Sequence, residues 1–155
     1  MSRKINFQPV TRLNYEKLFR LKIRNDQKKF VPSILESLAY AYIKPWDEAF
    51  DPYIIFDNDK MIGFFYVSYT PDSEDNYWIG GFFIDRKYQG MGYGKDSFSA
   101  ILKFIPSIHK NCKEISLTIE KNNEVARSLY ESFGFNGSGE ENRDGELIFR
   151  FKCHI

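Results

Sequence analysis

The apolar positions of the chain change their spacing from one stretch to the next, and each change marks an element. Residues 5–10 read as a strand, after which Tyr15, Leu18, Phe19 and Ile23 recur at helical spacing. A break at Asn25-Asp26-Gln27 follows. Ser33, behind Pro32, is placed to cap a second helix whose apolar face is Ile34, Leu35, Leu38, Ala39 and Tyr42, ended by Pro45. Residues 53–56 and 61–69 are strands joined by the polar turn Asp57-Asn58-Asp59-Lys60, and residues 71–76 turn the chain again. The next strand, 77–84, contains Gly80-Gly81, which suggests a bulge or a close backbone approach. Farther on, Phe98, Ile101, Leu102 and Ile105 form an i, i+3, i+4, i+7 stripe limited by Pro106. Ile115, Leu117 and Ile119 alternate with Ser116 and Thr118, as in a half-buried strand. Val125, Ala126, Leu129, Tyr130 and Phe133 share a helical face behind Asn122 or Asn123 as cap. Leu147, Phe149, Phe151 and Cys153 alternate in a last strand, paired across Asn142-Arg-Asp-Gly145 with one near Phe135. No linker or repeat interrupts this order, which predicts one α/β domain of the α+β type over residues 1–155.

One junction carries chemistry. The strand at 77–84 leads into Gln89-Gly-Met-Gly-Tyr-Gly-Lys95, and a helix follows. Alternate glycines let a backbone approach phosphate oxygens, and the free N–H groups of a first helical turn point at an anion together with the positive end of the helix dipole. The loop therefore points to a nucleotide-like cofactor; the plainer alternative is a turn that merely joins strand to helix. A kinase-type phosphate loop needs a hydroxyl after its lysine, and Lys95 is followed by Asp96. A dinucleotide fold would carry its glycines after the first strand, whereas here several strands come before them.

The spacing Gln89-x-x-Gly92-x-Gly94 resembles the acyl-coenzyme A signature of the GNAT N-acetyltransferases. A second stretch, Asn123-Glu-Val-Ala-Arg-Ser-Leu-Tyr-Glu-Ser-Phe-Gly-Phe135, resembles the later motif of the same family, Asn-x-x-Ala-x-x-x-Tyr-x-x-x-Gly-Phe. The two occur in the family's order, and the resemblance extends over roughly residues 5–152. Within the family the chain is most similar to small bacterial spermine/spermidine acetyltransferases, through Tyr77-Trp-Ile, Phe83-Ile-Asp, Tyr88-Gln-Gly-Met-Gly-Tyr-Gly-Lys95 and Asn122-Asn-Glu-Val-Ala126. The resemblance implies a central, mixed but mostly antiparallel sheet flanked by helices and splayed where acetyl-coenzyme A enters.

It also implies roles. Gln89, Gly90, Met91, Gly92, Tyr93, Gly94 and Lys95 would hold the pyrophosphate. The backbone of Phe82, Phe83 and Ile84 would pair with the pantetheine arm and polarise the thioester carbonyl. Asn123 and Ala126 would flank that arm, although Asn123 also suits a plain helix cap. Tyr130 would protonate the departing thiolate; spacing alone favours a core tyrosine on an apolar stripe, and the double motif match reverses that preference. Related polyamine enzymes often carry an acidic residue on the strand before the loop, where this chain has Ile79-Gly80-Gly81. The base is therefore open between Glu120, Glu36 and a water chain. Glu36, Tyr40, Trp46, Asp47 and Glu48, with Tyr42 and Asp51 beside them, would bind the acceptor, since carboxylates among aromatic faces suit a polycation. The expected acceptor is a small-molecule primary amine. A peptide or protein amino terminus is the alternative within the class, and a catalytically silent acyl-coenzyme A binding module the alternative outside it. Members of the family commonly form dimers, an expectation carried to this chain.

Composition narrows the partners. A formal net charge of +1 leaves no basic footprint for nucleic acid and no polybasic anchor. No long apolar run suits a membrane span, and the start Met-Ser-Arg-Lys-Ile-Asn has no apolar leader, so the expected location is the cytoplasm. Cys112 and Cys153 read as reduced, idle thiols, and no Cys/His spacing suggests a metal. His109 and His154 read as surface histidines.

Overall fold

A computed structural model describes residues 3–23, 28, 33–45 and 48–153. Among these, seven strands form one sheet: β1 (Ile5–Pro9), β2 (Ala49–Asp57), β3 (Lys60–Tyr69), β4 (Tyr77–Ile84), β5 (Glu114–Ile119), β6 (Asn136–Glu141) and β7 (Leu147–Lys152). Their order across the sheet is β1-β2-β3-β4-β5-β7-β6. Every neighbouring pair is antiparallel except β4 with β5. That parallel pair needs a crossover, and α3 (Tyr93–Ile108) supplies it.

The sheet buries both faces. On one, Phe98, Ile101 and Ile105 of α3 are wholly buried against Ile55, Phe65, Val67, Ile115 and Leu117. Phe98 also meets Tyr130 and Phe133, at the end of α4 (Glu124–Ser132), with ring centroids 4.9 and 5.2 Å away. The other face packs Leu18 of α1 (Tyr15–Leu18) and Ile34 of α2 (Ile34–Ile43) on Ile54, Phe56, Phe64 and Phe83. Among the described residues no helix is long and apolar enough to cross a membrane.

Several elements depart from the sequence expectation. The helix expected through Ile23 is one turn, because the chain behind it is captured elsewhere. Lys22 N–H donates to the buried Asp85 carboxylate at 3.0 Å, and the Lys22 carbonyl accepts from Arg86 N–H at 2.7 Å. Ser33 caps α2, its hydroxyl accepting the Glu36 N–H at 3.0 Å, but the inward face is Ile34, Ser37, Leu38 and Ala41. Leu35 and Tyr42 stand exposed. Pro106 lies inside α3 rather than ending it: only the bond its missing N–H would have made is lost, and His109 N–H closes the helix on the Ile105 carbonyl at 2.9 Å. Val125 points outward, and Ser116 is buried, accepting from Arg150 at 3.1 Å. β2 begins at Ala49, which draws Asp51 into the sheet. His109 is half-buried beneath Tyr69 and Tyr77, ring centroids 4.3 and 5.3 Å away, and burial lowers its pKa. Cys112 and Cys153 are free, with their sulfurs 4.0 Å apart. The break at Asn25-Asp26-Gln27, together with Pro32 and His154, lies outside the described residues.

Candidate active site

β4 and β5 share one register pair, Trp78 with Ser116. Beyond it β4 stays with β3 as far as Ile84, and β5 stays with β7 as far as Ile119, so the two halves of the sheet part. A cavity of about 190 Å³ opens between them. One wall is Ile79, Gly80, Gly81 and Phe82 of β4; the other is Leu117, Thr118 and Ile119 of β5, continued by Glu120, Asn123, Ala126 and Tyr130. The expected bulge lies here: Tyr66 pairs with Gly80 and Phe64 with Phe83, so Gly81 and Phe82 together face Phe65. Gly81 has φ of 62°, open to glycine at little cost and strained for residues with a Cβ. Such a bulge leaves the extra residue unpaired in the ladder beside the gap.

At the outer end of β4 a 3₁₀ turn, Arg86–Tyr88, leads to the glycine loop. The Gln89 side chain closes this loop on its own strand, donating to the Ile84 carbonyl at 2.8 Å. Gly92, with φ of 84°, is the N-cap of α3. A Cβ added at Gly90 or Gly94 would meet nothing within 4 Å, so the backbone borders open space there. The N–H groups of Tyr93, Gly94 and Lys95 open the helix, and the first helical bond to the cap runs from Asp96 N–H to the Gly92 carbonyl at 3.2 Å. Met91 and Lys95 are exposed. This set of groups forms a shallow cradle for an anion.

Side chains brace that cradle from behind. The Tyr93 phenol donates to the buried Asp57 carboxylate at 2.6 Å, and Lys4 N–H donates to its other oxygen at 3.0 Å. These bonds, Tyr93's foremost, hold Asp57 below the usual carboxylate range. Arg3 lies 3.8 Å over the Tyr93 ring, pairs with Asp96 at 2.9 Å and donates to the Met91 carbonyl. Sequence reasoning missed Arg3: a cation near the amino terminus carries no signal of meeting a loop some ninety residues on.

The inner end differs. Asn123 caps α4, its Oδ1 accepting the Ala126 N–H at 3.2 Å, and so aims the helix at the gap. Burial pushes the Tyr130 phenol up to about 12, so it is protonated at neutral pH. No hydrogen bond within the described residues holds its hydroxyl. The Tyr66 hydroxyl is equally unpartnered there; burial first, then Tyr40 and Glu146, push it up to about 12. Glu146, unforeseen from sequence, also lines the gap, oriented by the Asn142 amide at 2.8 Å.

Among the described residues, the acceptor residues expected from sequence do not gather. Glu36 is exposed and borders a different hollow of about 660 Å³, with Phe19, Lys22 and Arg86. Tyr40 reaches Phe50, with ring centroids 6.3 Å apart, and lies close enough to Tyr66 to influence it. Glu48 is half-buried. Asp51 accepts from Tyr69 at 2.7 Å and shares that contact region with His109. Trp46 and Asp47 lie outside the described residues.

Known proteins resemble this chain in sequence and in fold. The sequence pattern of the Acetyltransferase (GNAT) family matches residues 20–135. The spermine/spermidine N(1)-acetyltransferase of Bacillus subtilis (strain 168) is 33% identical over 153 residues, covering 93% of this chain and 95% of its own length. Among solved structures, the spermidine N-acetyltransferase of Vibrio cholerae in complex with CoA and spermine superposes with a TM-score of 0.72 at 18% identity, covering 96% of this chain and 95% of that one. The ribosomal-protein-S18-alanine N-acetyltransferase of Escherichia coli does so at 0.67 and 16%, covering 98% and 96%. Both structures share the fold with this chain. With a family pattern across most of its length and a relative matched almost end to end, the chain belongs to the GNAT family and is an acetyl-coenzyme A-dependent N-acetyltransferase.

Proposed function

We propose that this acetyltransferase moves the acetyl group of acetyl-coenzyme A to a primary amine of a polyamine, spermidine or spermine, by direct attack of the amine in a ternary complex. The observation that carries the reading is the parted sheet. A strand edge with a bulge faces an unpartnered phenol across one cavity, in a chain 33% identical to a spermine/spermidine N(1)-acetyltransferase.

The residues present fit acetyl-coenzyme A. Open space over Gly90 and Gly94 suits close approach of a pyrophosphate to main chain, and the start of α3 adds N–H donors with the positive end of its dipole. Lys95 adds positive charge, and Tyr93 and Met91 shape the loop. The edge of β4 at Phe82, Phe83 and Ile84 offers backbone groups to the amides of the pantetheine arm, with Asn123 and Ala126 opposite. Bound acetyl-coenzyme A supplies the thioester. The backbone at the bulge would polarise its carbonyl, and Tyr130, protonated at working pH, would donate its proton to the departing sulfur.

The amine must lose a proton before it attacks. With a free pKa of ~10 it is mostly charged at neutral pH, so turnover should rise with pH. Glu120 and Glu146 bring carboxylates to the cavity and suit a cationic acceptor. Assembly beyond the monomer is also proposed, to be read by light scattering.

The test is thiol release from acetyl-coenzyme A with spermidine, spermine, simple diamines and short peptides bearing free amino termini. Saturable release with polyamines and little with peptides is expected. Release with peptides alone would keep the mechanism and replace the acceptor. Coenzyme binding without turnover of any acceptor would overturn the enzymatic reading of this cavity.

A further inference from the structure

Gly80 and Gly81 leave β4 without side chains where it borders the cavity, and a residue of the neighbouring strand fills that space. A Cβ built at Gly80 would overlap the ring carbon and oxygen of the Tyr66 phenol, and one at Gly81 would lie 3.0 Å from the same ring. Tyr66 is the cross-strand partner of Gly80, so its ring lies over the glycine and reaches past it into the gap. Phe50 stacks on that ring with centroids 4.2 Å apart and fixes its direction. One further observation marks this as a place for a ligand. Tyr66 lines the cavity, and its hydroxyl has no partner among the described residues. Glu146 lines the same cavity and acts electrostatically on the phenol.

We infer that Tyr66 is a specificity-determining residue for the acceptor: its phenol oxygen, standing where β4 lacks side chains, accepts a hydrogen bond from the attacking nitrogen, while the Glu146 carboxylate holds the acceptor's positive charge. This rests on the proposed amine acetylation and deepens it. It explains why two adjacent glycines occur in a buried strand, where they otherwise weaken the ladder. It also separates the work of the two phenols in the cavity, Tyr130 serving the leaving sulfur and Tyr66 the incoming nitrogen. Burial pushes the Tyr66 phenol up to about 12, so it stays neutral and offers an oxygen acceptor and an O–H donor together.

Tyr66→Phe keeps the ring, its stacking on Phe50 and the fit over Gly80, and removes only the hydroxyl. The experiment is steady-state kinetics of wild type, Tyr66→Phe and Glu146→Gln with the best acceptor of the panel, with coenzyme affinity and Tm measured on each. The expected result for Tyr66→Phe is a KM for the acceptor raised about tenfold, the size of one lost hydrogen bond, with the KM for acetyl-coenzyme A and the Tm nearly unchanged. Glu146→Gln should raise the acceptor KM more for spermine than for a monoamine. Unchanged kinetics in Tyr66→Phe, with wild type active, would overturn the assignment alone. So would a parallel loss of coenzyme affinity and Tm, which would mark the hydroxyl as structural. If wild type uses peptides and no polyamine, the polyamine reading fails and the same comparison on the peptide amine decides the role of Tyr66. Wild type inert with every amine would overturn both.

Discussion

The two ends of the parted sheet are built in opposite ways. At the glycine loop the nearby side chains are already bonded to one another: Tyr93 to Asp57, Arg3 to Asp96 and Met91, Gln89 to Ile84. What remains free there, beside the exposed Met91 and Lys95 side chains, is main chain. At the inner end Asn123 braces the helix, but the Tyr66 and Tyr130 hydroxyls have no partner among the described residues. Backbone donors suit a ligand part that never changes, the pyrophosphate of the coenzyme. Free side-chain hydroxyls suit the part where bonds change and where acceptors differ. Rigidity and reactivity are thus divided along one strand, β4, with the bulge at Gly81 as the boundary.

The sharpest break of this comparison is Tyr130→Phe. It should lower kcat by about a hundredfold or more while leaving the KM for acetyl-coenzyme A within about twofold, since proton transfer by a positioned side chain is worth factors of this order. Equal loss in both would move Tyr130 to the coenzyme end. Gly92→Ala forces a Cβ at φ of 84°, 3.2 Å from the Arg3 guanidinium, and should raise the coenzyme KM about tenfold with little effect on the acceptor KM. Arg3→Ala should act the same way, about threefold, because it frees Asp96 and the Met91 carbonyl without placing a new side chain in the loop. A rise in acceptor KM instead would connect the two ends.

Tyr93→Phe tests the brace alone. Asp57 is held below its ordinary pKa, so its share of stability is present above the usual carboxylate range and is lost as pH falls through the lowered value. The variant should melt about 3–6 °C lower at neutral pH and show a smaller further loss below pH 4, read by thermal denaturation across pH. The mildest effect lies at the alkaline side. Tyr66 and Tyr130 hold their protons to about 12, against 10.0 for a free phenol. Their stabilisation is therefore level below pH 10 and lost between 10 and 12, a slope that either phenylalanine variant should flatten.

What the sequence makes readable follows how local each cause is. β4 has the bounds expected of it because apolar spacing and a turn before it agree, and the double glycine marked the bulge. Asn123 and Ser33 cap their helices because capping needs only three neighbouring residues. The failures have distant causes. α1 stops at one turn because Asp85, sixty-three residues away, takes the Lys22 amide. α2 turns Ser37 inward rather than Leu35, packed so close over Gly81 that a Cβ there would lie 3.3 Å from its hydroxyl, a closeness no helical periodicity encodes. Arg3 reaches the glycine loop, and Tyr66 and Glu146 the cavity, from three separate parts of the chain. Only the register of the sheet brings them there.

One consequence of the single register pair between β4 and β5 concerns the protein's endurance rather than its chemistry. A sheet that opens after Trp78 leaves part of an interior strand with hydrogen-bonding groups that no neighbouring strand uses. Under the proposed binding mode, the eighth member of this sheet is a metabolite, and the fold is finished only when that metabolite is present. The amides around Phe82 should then exchange with solvent deuterium far more slowly in the presence of the coenzyme, and the melting temperature should climb with its concentration. The lifetime of the folded chain would follow the cell's supply of acyl donor.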